Sequence, residues 1–229
     1  MLRTRESSLS PGLEMYQPPH FREDRIEVQH GLIRDYPLGL LITAGAGGLM
    51  ANPVPFLIDG DGSELGRLRC HLARANPQWR ELIGLKECMV VFQGPQDYIT
   101  PSWYATKRET GKVVPTWNYA TVHVWGRPSL IEDTAWLRQQ IEDLTALQEG
   151  RRSSPWSVGD APPDYVSAQV RGIIGVEIPI SRIEGKWKVS QNRPVNDRAG
   201  VVEGLRGEKP GGVMAGMVAE RSVRVERDA

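Results

Sequence analysis

The chain has 229 residues, 40% hydrophobic and 24% charged, which is ample for one sizeable core with a small appendage. Its 28 Lys+Arg balance 28 Asp+Glu, so a formal charge of zero argues against tight duplex binding by the monomer, although a local basic patch stays open. Cys70 and Cys88 lie outside any CxxC spacing and read as reduced, buried small hydrophobes on neighbouring strands of a cytoplasmic protein; no run approaches the length of a membrane span.

In chain order, "MLRTRESSLSPGLE" (1–14) carries Ser, Pro, Gly and charges without a periodic apolar pattern. It is expected to be a disordered extension, not a signal peptide. Residues 21–36 place Ile26, Val28, Leu32, Ile33 and Tyr36 on roughly one face after acidic residues, predicting a helix that Pro37 stops. "LGLLITA" (38–44) is a strand ending in the turn "GAGG" (45–48). "LMANPVPFLID" (49–59) resumes as a strand in which Pro53 and Pro55 cannot donate to a ladder. It must therefore be an edge, a bulge, or backbone that faces something other than a strand.

"DGDGSE" (59–64) has the composition of a hairpin turn and lacks the ligands of a calcium loop. A half-buried strand follows at 65–73, and then a helix over 76–86 that opens with Asn76 as cap and Pro77 in its first turn. Residues 87–95 form a buried strand. Residues 117–133 form a long strand bent at Gly126 and Pro128, and 134–149 a helix capped by Thr134. Residues 170–190 return to strand, and the tail from Val195 holds two helical stretches broken by "GEKPGG" (207–212). Consecutive strands with helices dropped between them point to an α+β fold with a mainly antiparallel β-barrel core. The organisation is an extension at 1–14, a barrel domain at 15–190 and a helical tail at 191–229.

Chemistry concentrates in three places. "HLARANPQW" (71–79) puts His71, Arg74 and Asn76 at a strand-to-helix junction, where free amides and a guanidinium can hold an anion. Equally, Arg74 can be solvated, His71 a satisfied wall residue and Asn76 only a cap. "PSWYATKRETGKVVPTWNY" (101–119) carries two Pro-Ser/Thr-Trp blocks, and "GKWKVSQNRP" (185–194) packs Lys186, Lys188, Gln191, Asn192 and Arg193 around Trp187. Such planar and cationic groups suit a flat heterocycle, while a tryptophan alone more often plugs a core.

These strings, with "MYQPPHF" (15–21), "VVFQGPQDYITPSWY", "VVPTWNYATVHVWG" and "GIIGVEIPISRIEGKWKVSQNR", occur in an order that resembles the PaiB family of FMN-binding proteins over about 190 residues. The resemblance implies an FMN-binding split β-barrel, similar to pyridoxamine-phosphate oxidase, that forms a homodimer with the flavin at the subunit interface. It implies that His71, Arg74, Asn76 and Trp79 bind the FMN phosphate, and that residues 51–56 lie against the ring. Thr116, Trp117, Asn118, Lys188, Gln191 and Arg193 would close the site from either subunit. Family members read Ala-x-His-x-Pro where this chain has Ala51-Asn52-Pro53-Val54-Pro55, which removes a titratable group. They also start at the position of Met15-Tyr16.

The family's described role is negative transcriptional regulation. No stretch in 195–221 makes a convincing helix-turn-helix, so a flavin-dependent sensor acting on a partner fits this role, with DNA contact left open. The competing readings are an oxidoreductase that uses the hydride chemistry of FMN, such as a flavin reductase, and a flavin carrier without turnover. The four histidines (His20, His30, His71, His123) are scattered, with no nucleophile–base pair or metal set, so the catalytic residues are left unassigned.

Overall fold

The computed structural model describes residues 14–60 and 62–227; the expectation of disorder for the first thirteen residues lies outside it. Among the described residues, nine strands pair antiparallel throughout, in the order β3-β2-β6-β7-β9-β5-β4, with β1 and β8 added onto β9. The strands are β1 (Arg22–Glu23), β2 (Leu38–Gly45), β3 (Gly48–Pro55), β4 (Leu57–Asp59), β5 (Arg67–Ala73), β6 (Cys88–Ile99), β7 (Thr116–Gly126), β8 (Ser129–Ile131) and β9 (Ile173–Lys188). β3 comes back against β5, which curls the sheet towards a barrel.

Alternation decides which faces are inside. On β2, Leu41 and Thr43 are buried while Leu38 and Leu40 are exposed. The inward set includes Leu41, Phe56, Leu68, Cys70, Val90, Phe92, Val122 and Ile178, with Phe56 and Phe92 edge to face at 5.6 Å. β3 is the edge strand that Pro53 and Pro55 require, and the turn into it uses Gly48 at φ 99°, where only glycine is unstrained. Cys70 and Cys88 share this core, but their strands are not neighbours: β7 and β9 intervene.

β9 organises the molecule. Its first half pairs with β5 and β8, its second half with β7 and β1, and the register shifts where Gly126 meets Ile180. Gly175 lies opposite His71, and a Cβ there would sit 2.4 Å from the Trp136 ring, so α4 (Thr134–Glu149) presses on β9 at this point. α4 packs with α5 (Pro163–Arg171), and α6 (Val195–Glu208) and α7 (Val213–Arg227) form a second small core with Ile99, Tyr104 and Val189.

Three local expectations change. The helix predicted over 21–36 is shorter: α1 runs Ile26–Asp35, because residues 19–21 form a 3₁₀ turn and β1 leaves to pair with β9. The cap of α4 is Asp133, whose carboxylate accepts from the Trp136 N–H at 2.7 Å, not Thr134. The helix predicted over 76–86 shrinks to one turn, α2 (Gln78–Glu81).

Candidate functional site

At the β5 end, the backbone of Arg74 donates to Gly172 O at 2.8 Å, fixing the corner to the start of β9. Asn76 Oδ1 accepts from the Gln78 N–H at 3.0 Å, and the Trp79 indole N–H donates to Arg74 O at 3.0 Å, so the turn is closed by its own side chains. Gln78 is fully buried and its amide reaches Leu41 O and Asn52, which ties the turn to β2 and β3 and leaves no room for a longer helix. One helical turn supplies little dipole, so any anion here depends on Arg74 and turn amides.

The Arg74 guanidinium is already engaged. It donates to Glu132 at 2.9 Å and to Arg171 O at 3.2 Å, in an exposed arrangement. His71 Nδ1 lies 2.7 Å from Gln140 Oε1 on α4. The contact ties the imidazole ring to α4. Gln140 itself is fully buried, and its Nε2 has no partner.

At the far end of β9 a second cluster assembles. Lys188, opposite Tyr119, donates to Thr116 Oγ1 and to Trp117 O, the latter at 2.9 Å. Asn118 is fully buried, and its amide exchanges hydrogen bonds with the Ser190 hydroxyl at 2.9 and 3.3 Å. This holds Ser190 at φ 67°, the left-handed region that a residue with a Cβ adopts at a cost. Gln191 is spent internally: its Oε1 accepts from Val189 N–H, and its Nε2 donates to Trp187 O.

Arg193 lies 4.7 Å from the Tyr104 ring centroid. Thr116, Asn118, Lys188, Ser190, Asn192 and Arg193 enclose a polar cavity of about 70 Å³. Burial, then the neighbouring charges of Lys186 and Arg193, hold the Lys188 ammonium below its ordinary pKa. Trp117 is 53% exposed at the rim, edge to face with Tyr98 at 6.0 Å.

The two predicted groups sit at opposite ends of β9's paired run. Thirteen residues of β9, from Gly175 to Lys188, separate them, a strand contour of about 40 Å at ~3.3 Å per residue. Sequence reasoning did not single out Gln140, Glu132 or Ser190 as site residues. The first two carry no local signal, and Ser190 shows itself only as part of the "SQNR" string.

The outer face of the sheet is apolar on β2 and β3 and turns polar on β7 and β9, where His123 and Glu184 stand. One register row runs Pro53, Leu40, Val91, His123 and Glu184 across five strands, and Leu38 (63%) and Leu49 (83%) stand exposed beside it. Pro53 lies on this open edge. Burial pushes the Cys88 thiol up to about 12 and Cys70 further, so neither is a nucleophile at neutral pH. Among the described residues no three His, Cys, Asp or Glu gather as a metal needs, and no helix is long and apolar enough to cross a membrane.

Comparison with known proteins gives the following. The family model described as "Putative FMN-binding domain" matches residues 15–182. An uncharacterised protein (AN0679) of Emericella nidulans is 39% identical, covering 90% of this chain and 97% of its own. The protease synthase and sporulation protein PAI 2 of Bacillus subtilis is 30% identical, covering 85% and 91%. Among solved structures, the conserved hypothetical protein Rv2991 of Mycobacterium tuberculosis aligns with TM-score 0.55 at 12% identity, over 79% of this chain and 94% of that one. An FAD- and heme-binding protein of Mycobacterium smegmatis aligns with TM-score 0.54 at 15% identity, over 73% of each.

Proposed function

This chain belongs to the PaiB-type family of the FMN-binding domain, and from that premise we propose that it is a homodimeric flavoprotein regulator whose two subunits share each flavin. Its fold is the FMN-binding split β-barrel and its cofactor is FMN. The donor set fits that group: hydroxyls, amides and cations for ribityl and phosphate, indoles for the flat ring, and a buried amide, Gln140 Nε2, that has no partner of its own. When bound, FMN supplies one- and two-electron redox chemistry. The chain's own residues bind it, orient it and exclude water.

The observation that carries the dimer is the separation of the two clusters along β9, combined with the exposed apolar residues on the outer face of β2 and β3. A second copy packed on Leu38, Leu40 and Leu49 covers that face. It also lets His71, Arg74, Asn76 and Trp79 of one subunit meet Thr116, Trp117, Asn118, Lys188 and Arg193 of the other. Gln191 then supports the second cluster without touching the ligand. The regulatory reading draws on the sporulation protein of Bacillus subtilis, whose name describes a cellular programme and no substrate. With zero net charge, the redox state of the flavin would be read by a partner protein in the cytoplasm, with DNA the less favoured target.

A second reading, an oxidoreductase, is favoured by one feature: the exposed Trp117–Tyr98 pair offers a stacking surface where an electron donor or acceptor could meet the ring. The test is native mass with a visible spectrum, followed by reoxidation kinetics. A yellow dimer carrying one FMN per chain, reoxidised by oxygen alone at a slow rate after NADH, supports the regulator. Rapid turnover with a defined acceptor supports the enzyme, and a colourless monomer that ignores FMN defeats both.

A further inference from the structure

The polar cavity at the C-terminal end of β9 brings two cations to one space. Several other cations sit on carboxylates: Arg25 and Arg221 on Glu23, Arg69 on Asp59 and Asp143, Arg74 on Glu132, Lys209 on Asp97. Here Lys188 and Arg193 line one space, and no acidic residue lines it with them. Lys188 is satisfied only by a hydroxyl and a carbonyl, and Arg193 rests on the face of Tyr104. Asp197, on the first turn of α6, accepts from the Thr106 N–H and does not line the cavity.

We propose that this cavity is a specific site for one oxyanion group, a phosphate or a carboxylate. Its size fits, since about 70 Å³ is room enough for a single XO₃ or CO₂ group. Its chemistry fits as well: the Lys188 ammonium, the Arg193 guanidinium, the Asn192 amide and the Thr116 hydroxyl are donors that a doubly charged acceptor satisfies together. The left-handed Ser190, clamped by the buried Asn118, places its hydroxyl on the wall at a backbone cost, as ligand-binding turns do. Like charges brought close and partly desolvated repel one another until an anion arrives.

The source of the anion is where this inference rests on the flavin reading. It is either the terminal phosphate of FMN, reaching in from the partner subunit, or the acid group of a separate small molecule. Inorganic phosphate is the probe, titrated into apo and FMN-loaded full-length protein and followed by Trp117 fluorescence. Arg193→Gln and Lys188→Met should each weaken phosphate binding about tenfold or more, the loss of one charge-assisted hydrogen bond, while Arg193→Lys restores much of it. Arg108→Gln, an exposed cation away from the cavity, should change nothing.

Phosphate that competes with FMN but not with riboflavin assigns the cavity to the FMN phosphate; phosphate that binds the FMN-loaded protein undiminished assigns it to a second ligand. Phosphate binding without any flavin binding keeps the cavity and removes the flavin reading. FMN binding with no phosphate response, or with a response that both charge-removing variants leave intact, overturns the inference.

Discussion

The two ends of β9 solve opposite problems with similar residues. At Gly175 the strand meets a corner whose arginine is already matched by Glu132 and by a carbonyl, in the open. At Lys188 it meets a cavity lined by two cations and no acid. On the same half of β9 the chain is held by a buried ion cluster: Glu23, opposite Gly185, takes Arg25 at 2.7 Å together with Arg221 from α7. The corner can exchange its partner cheaply because an exposed pair is worth at most about 1 kcal/mol. The cavity end cannot shift without breaking buried charge. The first suits a ligand that comes and goes, and the second a fixed receptor.

The largest effect expected from this contrast is at Glu23. Glu23→Ala leaves two guanidinium groups without their common carboxylate, and removing one partner of a buried pair costs about 3–5 kcal/mol. Urea unfolding at pH 7 checks it; a loss below ~1 kcal/mol would mean that the two ends are held alike. The same group sets a pH dependence. Burial alone would raise its pKa, but hydrogen bonds from Arg25 and Arg221 outweigh this and bring it from 4.5 to about 2. A depressed folded-state pKa stabilises above the unfolded value and is lost as pH falls. The wild type should therefore shed about 3 kcal/mol between roughly pH 5 and pH 2, and Glu23→Ala should not.

Next comes the outer face of the sheet. Leu40→Glu puts a carboxylate among the exposed apolar residues of β2 and β3, where a second copy would bury it unpaired. The dimer should weaken by about 2–4 kcal/mol, with loss of bound FMN in step, measured by sedimentation and by absorbance of the retained flavin. Monomers that keep their flavin would show that one chain alone completes the site.

How much of this was legible follows from contact range. The corner is written in nine consecutive residues, and its ties (Asn76 to Gln78, Trp79 to Arg74) span two and five positions. Its outer partners are not: Glu132 and Gln140 are 58 and 69 residues away and look like ordinary positions of a turn and a helix. In the far cavity, Asn118 and Ser190 are 72 apart, and only the pairing of β7 with β9 makes them neighbours. The long strands could be read because alternation is local, and the edge position of β3 because proline cannot donate. The start of α1 was misplaced because β1 answers to β9, far along the chain. The length of α2 was misplaced because Gln78 answers to β2 and β3 and not to its own helix.

At the corner, Arg74→Ala should weaken FMN binding by about 1.5–3 kcal/mol if its guanidinium turns to the phosphate or ribityl chain. Equilibrium titration of the apo-protein measures this, and an unchanged constant would leave Arg74 as a surface pair only. Comparison with Arg193→Gln then ranks the two ends.

The smallest change sharpens the contrast most, because its sign is opposite. Glu132 holds Arg74 through an exposed pair, so Glu132→Gln removes a competitor for the guanidinium without removing the guanidinium. Stability should move by less than about 0.5 kcal/mol, as for an ordinary surface substitution. FMN affinity should rise by about 0.3–1 kcal/mol, the value of the pair that no longer has to be broken, and the gain should fade at high salt. No gain at low salt, with Arg74→Ala still harmful, would mean that Arg74 binds its ligand without leaving Glu132. The carboxylate would then belong to the receiving geometry of the corner, and the difference between the two ends of β9 would be one of exposure alone.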